Sequence, residues 1–199
     1  MKKSEIRKKI LKIRRQNISK NLNIDLKSIT KILRDNKITG KTIGAYYPYN
    51  YEVDILGVLK NLEKLKYLIT LPRIKKNFQM EFFYWSTKEP LLINHYGIPE
   101  PMSKRVEYPD ILLVPLVAFD KIFNRIGYGG GFYDRYIKKI KKNKKVVTIG
   151  IAYSFQKVKE IKTNKLDIKL DFVVTEKKFK WEYYFWEILL ANLVAPKSL

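Results

Sequence analysis

Four glycines crowd one short stretch, Arg125-Ile-Gly-Tyr-Gly-Gly-Gly-Phe-Tyr-Asp-Arg-Tyr136, with a guanidinium at either edge and a carboxylate beside them. Gly127, Gly129, Gly130 and Gly131 carry no Cβ, so main-chain N–H groups can close on a ligand and a positive φ costs little. A helix opening near Phe132 aims its free N–H groups, and the positive end of its dipole, at the same spot. Arg125 and Arg135 add positive charge, and Asp134 offers oxygen to a divalent cation. These are the parts of a nucleotide-phosphate cradle. The same residues also allow a plain glycine-rich turn between a strand and a surface helix, with Asp134 merely favouring the helix start. No Gly-Lys-Ser/Thr follows, so the stretch is not a Walker A loop, and its G-x-G-G-G spacing is not the dinucleotide fingerprint.

Other chemistry is narrowed by composition. Without cysteine there are no disulfides, thiolate metal sites or cysteine nucleophile. The single histidine, His95, excludes a multi-histidine metal centre and reads as a surface loop residue. Lys3 and Arg7 stand one helical turn apart, so their side chains can converge on one anion. Glu52 and Asp54 follow a strand candidate stopped by Pro48, which is where open α/β sheets place ligands. Asp54 suits the cap of the next helix, whereas Glu52 reads as a binding residue. The formal net charge of +22 would suit nucleic acid. The basic residues are spread along the chain, however, and the Lys138-Lys139, Lys141-Lys142 and Lys144-Lys145 cluster sits at a helix end that favours cations. A solvated basic face, useful to a small polyanionic substrate, is the reading preferred; no nucleic-acid or membrane partner is expected. No apolar run approaches the roughly 20 residues of a membrane span, nor does the N-terminus resemble a signal peptide. A cytoplasmic location is expected, and a monomer is favoured over an oligomer.

The elements that must position these groups alternate. Residues 3–15 predict an amphipathic helix that Ser4 could cap, and residues 19–36 a second. Strands are expected at 41–47, at 67–71 ending on Pro72, and at 79–85. Residues 94–108, with Gly97, Pro99 and Pro101, read as an ordered loop. Further strands follow at 111–114, 145–151 and 171–176, with helices at 55–65 and 133–142. This rhythm predicts an α/β fold, a mainly parallel sheet flanked by helices on both faces. The domain spans residues 1–176, and an aromatic-rich segment, 177–199, is expected to form a C-terminal helix packing on it.

The ordered motifs resemble one family, 5-formyltetrahydrofolate cyclo-ligase (5,10-methenyltetrahydrofolate synthetase). The likeness runs over Lys3-x-x-x-Arg7, Tyr47-Pro48 with Glu52-x-Asp54, Leu71-Pro72, Tyr96-Gly-Ile-Pro-Glu-Pro101 and Pro109-Asp-Ile-Leu-Leu-Val-Pro115. It continues through Ala118-Phe-Asp120, the glycine stretch, Gly150-x-Ala152, Gln156, Asp167-x-x-x-Asp171 and Thr175-Glu176. The resemblance implies a fold related to the sugar-phosphate isomerase and CoA-transferase group. It also implies ATP- and Mg²⁺-dependent closure of 5-formyltetrahydrofolate to 5,10-methenyltetrahydrofolate, releasing ADP and phosphate through a phosphorylated formyl intermediate. By the same resemblance, Lys3, Arg7, Arg125, Gly127, Tyr128, Gly129, Gly130, Gly131 and Tyr133 hold ATP. Asp134 and Asp167 hold the metal, with Asp171 the alternative to Asp167. Glu52, Tyr96 and Phe132 bind the folate, and Arg125, Asp134 and Tyr133 are placed at the reaction. Two departures stand out: Phe132 occupies a position that is tyrosine in many relatives, and Tyr96 one that is tryptophan in some.

Overall fold

The computed structural model describes residues 1–17, 22–75, 79–95 and 97–177. Two helices open the chain, α1 (Lys3–Gln16) and α2 (Leu26–Asp35), followed by β1 (Thr42–Gly44), α3 (Leu56–Lys64), β2 (Leu68–Ile74) and β3 (Met80–Tyr84). Next come the short strands β4 (Leu91–Ile93), β5 (Pro99–Pro101) and β6 (Val106–Glu107), then β7 (Ile111–Pro115), β8 (Ala118–Phe119) and β9 (Arg125–Ile126). Helix α4 (Phe132–Ile140), β10 (Val147–Ile151) and β11 (Phe172–Val174) complete the fold.

Seven strands form one sheet in the order β11-β10-β7-β1-β2-β3-β6. The pairs from β11 through β2 are parallel, and β3 and β6 extend the edge in antiparallel pairing. Strand β7 shows why the sheet needs cover on both sides. Ile111 and Leu113 face a core shared with Ile29, Ile32 and Leu33 of α2 and Leu59 and Leu62 of α3. Leu112 and Val114 point the other way, into a core with Tyr136, Ile137 and Ile140 of α4. An uninterrupted apolar run is what a central parallel strand buried on both faces requires. Helix α1 packs separately, Ile6 and Ile10 meeting Val117, Ala118 and Ile126 beyond the end of β7.

The connections create a switch point. The chain leaves β1 for β2 on one side, and leaves β7 for β10 on the other, while β1 and β7 are neighbours. Loops from two adjacent strands therefore diverge at their carboxyl ends, opening the crevice where α/β sheets take ligands.

Several expectations are corrected. Strand β2 does not end at Pro72 but runs on to Ile74, pairing Pro72 with Phe82. Thr70 O accepts Ala45 N–H on the β1 side, so the N–H that Pro72 lacks would point to the same side, past the last β1 partner. Residues 94–108 contain strand: β5 pairs with β4 as a ribbon, and Asn94 closes its turn by accepting Ile98 N–H at 3.0 Å. Strand β1 spans three residues rather than seven. Helix α2 starts at Leu26, where Asp25 accepts Lys27 N–H at 2.9 Å. Ser4 does not cap α1; it lies inside the first turn, and Glu5 accepts Lys2 N–H at 3.0 Å instead. Asp54 does serve the next helix, accepting Leu56 N–H at 2.8 Å. The segment expected to form a C-terminal helix lies, from residue 178 on, outside the described residues.

Candidate active site

The glycine stretch leaves β9 and turns into α4 at the carboxyl end of the sheet. Gly129 (φ +110) and Gly131 (φ +65) adopt backbone angles that a side chain resists, and Gly131 is the residue from which α4 starts. A Cβ on Gly129 would stand 3.6 Å from the Arg7 guanidinium, so this edge of the turn faces α1. Arg7 Nε donates to Gly127 O at 2.8 Å. The one-turn spacing of Lys3 and Arg7 thus delivers both cations to the same end of the sheet, where Lys3 forms an ion pair with Asp167.

Arg125 is buried and donates from Nη2 to Asp134 Oδ1 at 2.8 Å and from Nη1 to Ile168 O. Ile168 N–H returns to Asp134 Oδ1 at 3.0 Å. Segment 167–168 is therefore stitched to the first turn of α4, and Asp167 and Asp134 both lie within the field of Arg125. Burial draws Asp167 upward, but the Lys3 hydrogen bond and the Asn164 N–H outweigh it and hold its carboxyl below the usual carboxylate value. Asp171 is used elsewhere: it accepts Thr148 N–H and Oγ1–H at 2.8 and 2.7 Å, at the opposite end of β10 and β11. Of the two aspartates, Asp167 is the one that reaches the Arg125–Asp134 pair.

A second group of residues lies beside the turn. Glu52 hangs from the loop after β1 and is only 9% exposed. Its presentation is strained: Asn50 (φ +48) and Tyr51 (φ +59) are successive non-glycine residues in the left-handed region, which is uncommon for asparagine and an outlier for tyrosine. Tyr49 N–H donates to Glu52 Oε2 at 3.0 Å and closes the turn. Burial pushes the Glu52 carboxyl up to about 7, against the Tyr49 N–H and the Arg14 charge, which pull it down. Tyr46 closes the floor, its hydroxyl donating to Val53 O at 2.8 Å. The Tyr133 hydroxyl is buried without a hydrogen-bond partner among the described residues. Desolvation, then the charge of Glu52, raises its pKa, while Arg125 lowers it; the ring stands in the field of both groups.

Phe132 sits at the outer edge, its ring under Arg135 at 5.2 Å, while Arg135 Nη2 donates to Gly130 O at 2.9 Å. Tyr96 falls outside the described residues, and His95 is exposed. Arg14 is the residue that sequence reasoning missed. It is 2% exposed, its Nη1 donates to Tyr128 Oη at 2.8 Å and its Nη2 to Leu116 O at 2.6 Å. The signal was available, since Ile6, Ile10 and position 14 form one four-residue stripe on α1 and its third member is an arginine.

Fold and geometry together define a class: an α/β domain with a cationic glycine turn at a switch point and a buried carboxylate, Glu52, presented from the neighbouring loop. The chain belongs to the 5-formyltetrahydrofolate cyclo-ligase family, whose sequence profile matches residues 1–176. It is 35% identical over 138 residues to the 5-formyltetrahydrofolate cyclo-ligase of Haemophilus influenzae, covering 65% of this chain and 73% of that one. The 5,10-methenyltetrahydrofolate synthetase structure from Aquifex aeolicus superimposes with a TM-score of 0.67 at 32% identity, covering 89% of this chain and 91% of the other. The corresponding enzyme of Mycoplasma pneumoniae gives the same TM-score at 26% identity, over 89% of this chain and all of its own.

Proposed function

We propose that the protein closes 5-formyltetrahydrofolate to 5,10-methenyltetrahydrofolate at the expense of ATP. Family membership supports the reaction. The observation that carries the site assignment is the junction itself, where the glycine turn, Arg125 and the buried Glu52 meet at the carboxyl ends of β1 and β7. Phosphoryl transfer chiefly asks for positioned reactants and neutralised charge, so the lack of cysteine and of a catalytic histidine is no obstacle.

Arg7, Lys3, Arg125 and the main-chain amides of residues 127–131, with Tyr128 and Tyr133, hold the triphosphate. Glu52 accepts from N–H donors of the pterin ring, and Phe132 and Tyr96 offer aromatic faces to it. The formyl oxygen attacks the γ-phosphorus and ADP departs with the broken P–O bond. N10 then adds to the formyl carbon and loses its proton, and the C–O bond breaks as phosphate leaves. Arg125 neutralises charge that builds on the transferring phosphoryl group.

Asp134 and Asp167 could hold a magnesium ion because both offer carboxylate oxygen and the Ile168 N–H bond to Asp134 brings them together, although the ion would compete with Arg125 and Lys3 for them. Among the described residues no three acidic or imidazole side chains form a metal cage. This donor set suits an ion that arrives with phosphate oxygens, supplying charge neutralisation when bound.

The test follows methenyl product by its near-UV absorbance. Product should form with ATP and Mg²⁺ together and not when either is omitted. Product formation independent of ATP overturns the reading. The full chain's net charge of +22 would suit a nucleic-acid function, but its cations are spread along the sequence.

A further inference from the structure

Resting on the function proposed above, we propose that Arg14 is a positioning residue that couples the nucleotide turn to the folate pocket, so that filling one strengthens binding at the other. Three observations meet on this side chain. It is buried at the junction, although it comes from a helix whose exposed face is otherwise rich in lysine and arginine. Its two terminal nitrogens are committed to different parts of the site. Nη1 holds the hydroxyl of Tyr128, which lies between Gly127 and Gly129 in the glycine turn. Nη2 holds Leu116 O at the end of β7, a carbonyl that also accepts Gln156 Nε2 at 2.8 Å. The third nitrogen, Nε, is buried with no partner among the described residues. A buried donor left unpaired carries a desolvation cost that a bound ligand or water can remove.

Tyr128 extends the link. Its hydroxyl also interacts with Asn50, in the strained turn that presents Glu52. Arg14 therefore grips the one glycine-turn side chain that reaches the folate loop, while its charge acts on Glu52. Among the described residues, the groups that share an electrostatic interaction with Glu52 are Arg14 from α1, Tyr46 from the loop after β1, Tyr128 from the glycine turn and Tyr133 from α4. Arg14 is the cation among them. Movement of the glycine turn onto a nucleotide must pull on Tyr128, hence on Arg14 and the Asn50 turn together. Two sites sharing one element bias each other reciprocally.

Calorimetric titration tests this on the full chain. 5-Formyltetrahydrofolate is titrated with and without a non-hydrolysable ATP analogue plus Mg²⁺, and the analogue with and without the folate. In the wild type each ligand should tighten the other by about 5-fold or more, the low end of ordinary coupling. Tyr128→Phe removes the hydroxyl link and, because Tyr128 also lies against the triphosphate, weakens the analogue itself; with the analogue at saturation, the ratio of folate affinities with and without it should fall close to one. Arg14→Gln should do the same and also move the acid limb of folate affinity upward by about half a pH unit or more, because the carboxylate loses its stabilising charge. Arg14→Lys keeps the charge and should restore the acid limb without restoring the coupling. A purely structural Arg14 would lower stability and move neither readout. If the wild type binds both ligands without coupling, or Tyr128→Phe keeps it in full, the inference is overturned while the function stands. If the wild type binds no folate, both fall together.

Discussion

Replacing Glu52 with glutamine tests whether this carboxyl is held in the fold against its own preference. The change removes the charge and retains an oxygen to accept Tyr49 N–H, the bond that closes the turn at 3.0 Å. Burial raises the carboxyl from 4.5 to about 7. Between those values the folded chain binds a proton that the unfolded chain has already released. Stability is therefore full below the unfolded value and falls as pH rises through the folded one. The difference corresponds to about 3 kcal/mol once both states are ionised. Wild type and Glu52→Gln should be equally stable near pH 4.5, and the variant should lead by up to about 3 kcal/mol at pH 8.5, or roughly 6–12 °C in Tm. Urea unfolding of both proteins across this range gives the answer, because every other titrating group is common to the pair and cancels. Folate binding should be lost in the same variant, so a more stable protein would be a less able one. A stability difference that does not change between pH 4.5 and 8.5 would refute the reasoning.

Three further outcomes are expected. Asp134→Asn leaves the buried Arg125 without its ionic partner and should cost roughly 1–3 kcal/mol in urea unfolding, together with a severe loss of turnover in the absorbance assay. Gly129→Ala forces a side chain into φ +110 beside Arg7; about 1–3 kcal/mol of strain should appear as a raised KM for ATP with the fold intact by circular dichroism. Asp120→Ala should lower unfolding free energy by about 3 kcal/mol or more, because one buried carboxylate serves the Ile122, Asn124 and Ile161 N–H groups and the Asn124 amide.

The elements most legible in sequence were those whose apolar pattern had one physical solution. Residues 111–114 read as a buried strand because no other element hides four successive large aliphatics between turn signals, and α4 was placed by the glycines ahead of Phe132. Pro72 misled because the rule against proline in strands applies only where its missing N–H faces a partner, and that depends on where β1 stops. Residues 94–108 misled for a similar reason: a two-stranded ribbon tolerates Pro99 and Pro101 at its edge. In the site, the placing of Lys3 and Arg7 on one side of α1 followed from helical spacing alone, while their partners, Asp167 and Gly127 O, did not. That Asp167 rather than Asp171 approaches Arg125 could not, since both aspartates belong to a weakly patterned stretch and only the register of β11 against β10 carries one of them to the far end. Arg14 was hidden by company, one arginine among many cations on α1, and its burial depends on α1 docking against the end of β7.

The main-chain amide resonances of Gly127, Gly129, Gly130 and Gly131 test the central claim most directly. They should be followed during titration with a non-hydrolysable ATP analogue and Mg²⁺. All four should shift and saturate together, with the Thr148 and Asp171 amides at the opposite end of the sheet unmoved. Nucleotide binding that leaves those glycine amides still, and perturbs another surface instead, would contradict the account.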